Sequence, residues 1–200
     1  AWADADMSNT YTVAGETIAI NITDSDTSLL SDPNFGGQTP AESIYDTGGV
    51  VPGESDLHFL RDPSNRTSTV DVVYSIGSPG VGVAKVQLSI FDIDFGNSQF
   101  EDQITVTGSL GGTSVTPTLF DSVSNSASGN QVTGNGGSNP TQSRGNMTIE
   151  FNAPIDTMTV RYGNGSGAPT NPGNQGMSIH DLNFCPIFGA ELTGQKSTAV

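Results

Sequence analysis

Cysteine is almost missing from this sequence. Its single copy, Cys185, cannot form a disulfide within the chain, which excludes a small cystine-stapled fold. Its place after Ile179, Leu182 and Phe184 predicts a buried thiol that packs as a small hydrophobe. Cationic side chains are scarce too: six Lys and Arg stand against 21 Asp and Glu, a formal charge of −15. Without a basic footprint to neutralise phosphates, nucleic acid is excluded as a partner, and an anionic membrane surface is disfavoured for the same reason. No apolar run approaches the length of a bilayer span, so no membrane insertion is expected.

Catalytic and zinc signatures are also lacking. The only histidines, His58 and His180, have no cysteine partners and no His-x-x-x-His spacing, which argues against zinc. His180 stands beside Asp181, but strand neighbours face opposite ways unless a bulge intervenes, so His180 reads as structural. No Gly-x-Ser-x-Gly elbow is present. A glycosidase needs two facing carboxylates in a cleft, and with 21 acids some pair always qualifies. The chain is therefore read as non-enzymatic. Four glycosylation sequons begin at Asn21, Asn65, Asn146 and Asn164, about as many as chance produces in a chain so rich in Asn, Ser and Thr.

Helical periodicity is absent; what recurs is alternation at period two. Strands are predicted over Tyr11–Val13, Thr17–Thr23, Leu57–Leu60, Ser68–Ile76, Val83–Ile90, Gln103–Leu110, Thr113–Phe120, Met147–Phe151, Met158–Tyr162 and Met177–Phe184. Clusters of Gly, Pro, Asn and Asp separate them. The fold class is all-β: a two-sheet antiparallel sandwich, jelly-roll-like, with long polar loops and terminal extensions. Alternation slips by one residue in Leu88–Phe95 and again in Ile179–Phe184, which predicts a bulge in each. The loops Ser122–Gly145 and Gly163–Gly176 are long and nearly free of large apolar residues. The chain divides into an N-terminal extension (1–10), the sandwich (11–186) and a C-terminal tail or donated strand (187–200). The opening Ala1-Trp2-Ala3-Asp4-Ala5-Asp6 resembles a mature end left by leader cleavage.

The stretch Val86–Gly108, with Phe91-Asp92-Ile93-Asp94 and then Phe100-Glu101-Asp102-Gln103-Ile104-Thr105-Val106, resembles a recurring domain of bacterial surface proteins. Met147–Phe151, Ala153–Asp156, Val160–Gly163 and the closing Ile179–Phe184 fit the same pattern. Such domains are lectin-like sandwiches of large adhesins, including the CshA-like fibrillar adhesins, and the resemblance covers roughly Tyr11 to Pro186. It implies a secreted, cell-surface location, adhesion and no catalysis.

The densest acidic group is Asp92, Asp94, Glu101 and Asp102. A hard cation wants six to eight oxygens, and the turn at Gly96-Asn97-Ser98 returns Asp102 towards the first two, so calcium is the one cofactor these residues suggest. The alternative is that these acids cap turns by bonding to backbone amides. Tyr45 and Tyr162 are the aromatics with no evident core position, and so the candidates to stack on a sugar. Two functions follow. One is a structural subunit that joins copies of itself head-to-tail into a pilus-like surface fibre by β-strand addition. The other is a calcium-assisted adhesin module that binds a surface glycan or protein ligand through the two long loops.

Overall fold

A computed structural model of the chain describes residues 1–32 and 37–187. Its strands are β1 (Ser8–Val13), β2 (Glu16–Asp24), β3 (Ser31–Asp32), β4 (Gly37–Gln38), β5 (Ala41–Ser43), β6 (Asp56–Arg61), β7 (Val70–Ile76), β8 (Val83–Phe91), β9 (Phe95–Gly96), β10 (Phe100–Leu110), β11 (Thr113–Val115), β12 (Thr118–Phe120), β13 (Asn125–Ser128), β14 (Gln131–Gly134), β15 (Met147–Phe151), β16 (Thr157–Asn164) and β17 (Gln175–Pro186). A nine-stranded sheet runs β1-β2-β7-β16-β10-β14-β13, with β9 and β11 also on β10. A six-stranded sheet runs β12-β15-β8-β17-β6-β5. Pairing within both sheets is antiparallel. The protein is thus an all-β, two-sheet sandwich. Among the described residues no helix is long and apolar enough to cross a membrane.

Alternation explains the core. Val70, Val72, Tyr74 and Ile76 of β7 meet Val86, Leu88 and Ile90 of β8, with Ile104, Val106, Met158, Val160, Met177 and Ile179 around them. Side chains at the intervening positions therefore face away from the core. On the six-stranded sheet the outward set includes His58 beside core Phe59, Phe91 beside Ile90, and Ser178 and His180 flanking Ile179.

Several expectations need correction. The bulge predicted in Ile179–Phe184 is present, as register shifts between His180 and Leu182 and between Asn183 and Cys185. The other is not a bulge: β8 ends at Phe91, and Asp92 turns the chain at a left-handed φ of 62°. Cys185 is exposed, because the shifts leave Leu182 and Phe184 packing inward and turn the cysteine out. The stretch Thr113–Phe120 divides between sheets: β11 pairs with β10, and β12 with β15. The long loop 122–145 contains the polar hairpin β13–β14. Residues 1–10 lie on the domain: Ser8–Thr10 pair in β1 and Trp2 is 8% exposed, its indole N–H donating to Asp6 O at 3.0 Å. Of the predicted tail, 188–200 lies outside the described residues.

Candidate functional site

The turn between β8 and β10 brings Asp92, Asp94 and Asp102 into one neighbourhood but sends Glu101 elsewhere. Asp102 is fully buried. Its Oδ2 accepts the Asp94 backbone N–H at 3.1 Å and its Oδ1 accepts the Tyr162 hydroxyl at 2.8 Å. Asp94 Oδ2 accepts the Ser138 N–H at 2.6 Å. Burial, and then the Asp94 charge, push the Asp102 carboxyl well up. These two acids lock the turn and the 138 loop to the sandwich end, the turn-capping role of an Asp. Glu101 Oε2 instead accepts the Gly167 N–H at 2.7 Å. Tyr162, expected to be available to a sugar, is fully buried beneath Arg61, whose guanidinium carbon lies 5.6 Å from its ring centroid and whose Nη1 donates to Tyr162 O at 3.1 Å.

A second acidic group lies on the outer face of the six-stranded sheet, where the sequence offered no spacing to reveal it. The segment 44–55, between β5 and β6, folds over Phe91, Ser178 and His180. It is held from above: Gly48 N donates to Pro140 O at 3.0 Å, and Asn146 Nδ2 donates to Gly48 O at 2.9 Å. Gly48 has φ of 53° and sits on the Phe91 ring, so only glycine suits the position. Phe91 in turn stacks on His180, centroids 5.3 Å apart. The roof leaves Asp46 at 1% exposure and Asp56 at 4%, and no oxygen of either has a hydrogen-bond partner. Ser178 Oγ approaches both acids and the Gly48 N–H approaches Asp46, which moderates the rise of each carboxyl. Ser178 Oγ lies 2.9 Å from His58 Nδ1, however, and the Gly48 N–H donates to Pro140 O, so neither closes a well-formed bond to an acid.

The electrostatics follow from this dryness. Burial, then repulsion from Asp56, raises Asp46 to about 7, and burial raises Asp56 to about 7. Asp92, Oδ1 likewise without a partner, is raised to about 8 by burial and then by Asp46 and Asp94. Burial depresses His58 to about 4, so it is neutral. Ser178 and His58 have the contact of a nucleophile and base, and both are buried, at 0% and 2% exposure. The bulge at His180–Leu182 does bring Asp181 round, its Oδ2 3.4 Å from His180 Nδ1, while Glu54 Oε2 lies 3.5 Å from Nε2. Among the described residues this is the one His/Asp/Glu trio whose ligating atoms all lie within 4.8 Å. Both imidazole nitrogens face carboxylates there, and those carboxylates are open to water.

Two further features lie on the surface. On the open side of the 44–55 segment, Tyr45 (46% exposed) lines a 660 Å³ cleft with Glu42, Ser43, Thr47, Ser55 and Thr141. On the other half of the sheet, the far end of β17 is paired on one side only among the described residues. Gln175–Ile179 are paired with β6 and, towards their end, with β8 as well, whereas Leu182–Pro186 pair with β8 alone among the described residues. Below that open edge lies an apolar groove of 250 Å³, lined by Tyr11, Val13, Ile18 and Ile20 of the opposite sheet, by Leu182, and by Trp2. Val13 is 47% exposed there. No known family model matches the chain, and no curated protein matches it.

Proposed function

We propose that this chain is a non-enzymatic, extracellular structural protein of a bacterial cell surface whose copies join into a fibre by β-strand addition. The observation that carries the reading is the half-open edge of β17 above an apolar groove. Among the described residues no strand pairs with the outer side of Leu182–Pro186, so an incoming strand would meet main-chain hydrogen-bonding groups there, with the groove below for its alternate side chains. The occupant is the segment after β17, residues 188–200, of a neighbouring copy. The N-terminal residues are the poorer donor, since Trp2 and β1 are committed to their own domain. Contacts of this head-to-tail kind do not close and so propagate.

Electron microscopy tests it. The full chain should form ordered filaments. A version lacking 189–200 should stay monomeric, and so should Val13→Asp, which places a charge in the groove at an already exposed position. Monomers throughout, at every concentration, sink the fibre reading. The Tyr45 cleft favours a second reading, an adhesin module that binds a surface glycan with a stacked tyrosine and a rim of hydroxyls. Glycan-array binding lost in Tyr45→Ala would support it.

A further inference from the structure

The compartment under the 44–55 segment has too few donors for its acceptors. Asp46 and Asp56 bury four carboxylate oxygens, and half-buried Asp92 adds a fifth in its Oδ1, none of them in a well-formed hydrogen bond. No salt bridge reaches any of the three among the described residues. Two donors approach: the Gly48 N–H, which lies towards Asp46, is already given to Pro140 O, and the Ser178 hydroxyl carries a single proton that could serve only one of the five. Buried oxygens left in this condition call for an ion or a proton. The neighbouring acids differ: the oxygens of Asp102 are taken up by Asp94 N–H and the Tyr162 hydroxyl, and Asp94 Oδ2 by Ser138 N–H.

We propose that this compartment is a calcium site, with Asp46 and Asp56 as the principal ligands, Asp92 as a third carboxylate and Ser178 Oγ as a neutral oxygen. The donors are all oxygen, and three of them are carboxylates, which suits a hard divalent cation. Calcium accepts six to eight oxygens in irregular geometry at about 2.3–2.6 Å, and backbone carbonyls and water can complete its shell, whereas magnesium demands a compact octahedron. The three carboxylates do not form a trio within 4.8 Å of one another, so binding must draw them together. The site is separate from the β17 edge and stands whether or not copies assemble. It also differs from the group the sequence suggested: Glu101 has no part in it and Asp94 is a structural neighbour.

The test uses the full chain at about pH 8, stripped with chelator and titrated with calcium chloride in a calorimeter and in thermal melts. One ion should bind per chain. With calcium about a hundredfold above its dissociation constant, the melting temperature should rise by about 5–10 °C. Asp46→Asn and Asp56→Asn should abolish both signals while folding in chelator, since each replaces a charge by a neutral group of the same shape. Glu101→Gln should bind as the wild type does. Amide exchange on the unaltered chain keeps the proposal testable should a variant fail to fold: calcium should slow exchange across 44–55. An absence of heat and melting shift at millimolar calcium would overturn the site. So would binding that survives both Asn variants, or that vanishes with Glu101→Gln.

Discussion

In chelator, the stability of this domain is expected to fall as the pH rises from about 4 to about 8, the reverse of ordinary acid denaturation. The perturbation is Asp46→Asn or Asp56→Asn, compared with the wild type across that range. Asp46 and Asp56 have folded-state values of about 7 against 3.8 for the free side chain, chiefly because both are buried. The folded protein therefore holds protons that the unfolded chain has released. That penalty is absent below about pH 4, grows through the interval, and levels off above the folded values. For one carboxyl it amounts to roughly 4 kcal/mol. Part of it is mutual repulsion between the two acids, so the pair costs less than twice that. Even so, it consumes a large share of the ~5–15 kcal/mol that typically holds a domain together. With roughly 2–4 °C per kcal/mol for a chain of this size, Asp46→Asn should melt on the order of 10 °C above wild type at about pH 8 and level with it near pH 4. Circular-dichroism melts provide the assay. A net charge of −15 makes every version less stable as acids ionise, so Asp62→Asn, which removes one exposed charge, supplies the control. Curves for wild type, Asp46→Asn and Asp56→Asn that run parallel over the whole range would refute the reasoning, because a dry, unpaired carboxyl cannot titrate like a solvated one.

Other consequences can be checked directly. Tyr162→Phe removes the hydroxyl that caps Asp102 Oδ1 and leaves that oxygen buried and unpaired; urea titration should show a loss of about 1–3 kcal/mol. Gly134→Ala would drive a methyl into the Asp94 carbonyl oxygen, a backbone atom that cannot swing aside, so the β13–β14 hairpin should lose its amide protection. Trp2→Ala should cost about 3–5 kcal/mol in thermal or denaturant melts if the first residues are docked, and almost nothing if they are a loose extension. Cys185 should react with one equivalent of a thiol reagent in the native protein, where a buried thiol would resist.

The sequence revealed the frame of the sandwich because period-two alternation and core burial are the same fact in β2, β7, β8, β10, β15 and β16. It failed where pairing is carried by backbone alone. The β13–β14 hairpin places only Ala127 and Val132 on packing positions, so a pattern based on apolar residues passes over it. Thr113–Phe120 read as one strand because nothing in the alternation marks a change of sheet; only Pro117, which has no N–H for a ladder, stands where it breaks. At the acidic end, the return of Asp102 to Asp94 followed from the short turn between them, and the turn-capping alternative describes what both now do. Glu101 was grouped with them by proximity in the chain, although adjacent strand residues point to opposite faces. Asp46 and Asp56 carried no local signal. Ten residues apart in a turn-rich segment, they become neighbours only because that segment folds back over β17, and a long-range cover of that kind leaves no period to read.

The bulge at Asp181 also divides β17 mechanically. Tension on the chain beyond Ile187 would enter through Leu182–Pro186, a length gripped among the described residues by β8 alone. It would then meet a joint where the register shifts, and behind it Ser178 and Ile179, clamped by neighbours on both sides. The domain would therefore yield in two stages, a soft one in front of the joint and a stiff one behind it. A strand seated on the open edge would turn the soft stage into a second stiff one, so that joining to a neighbour would itself harden the link under load.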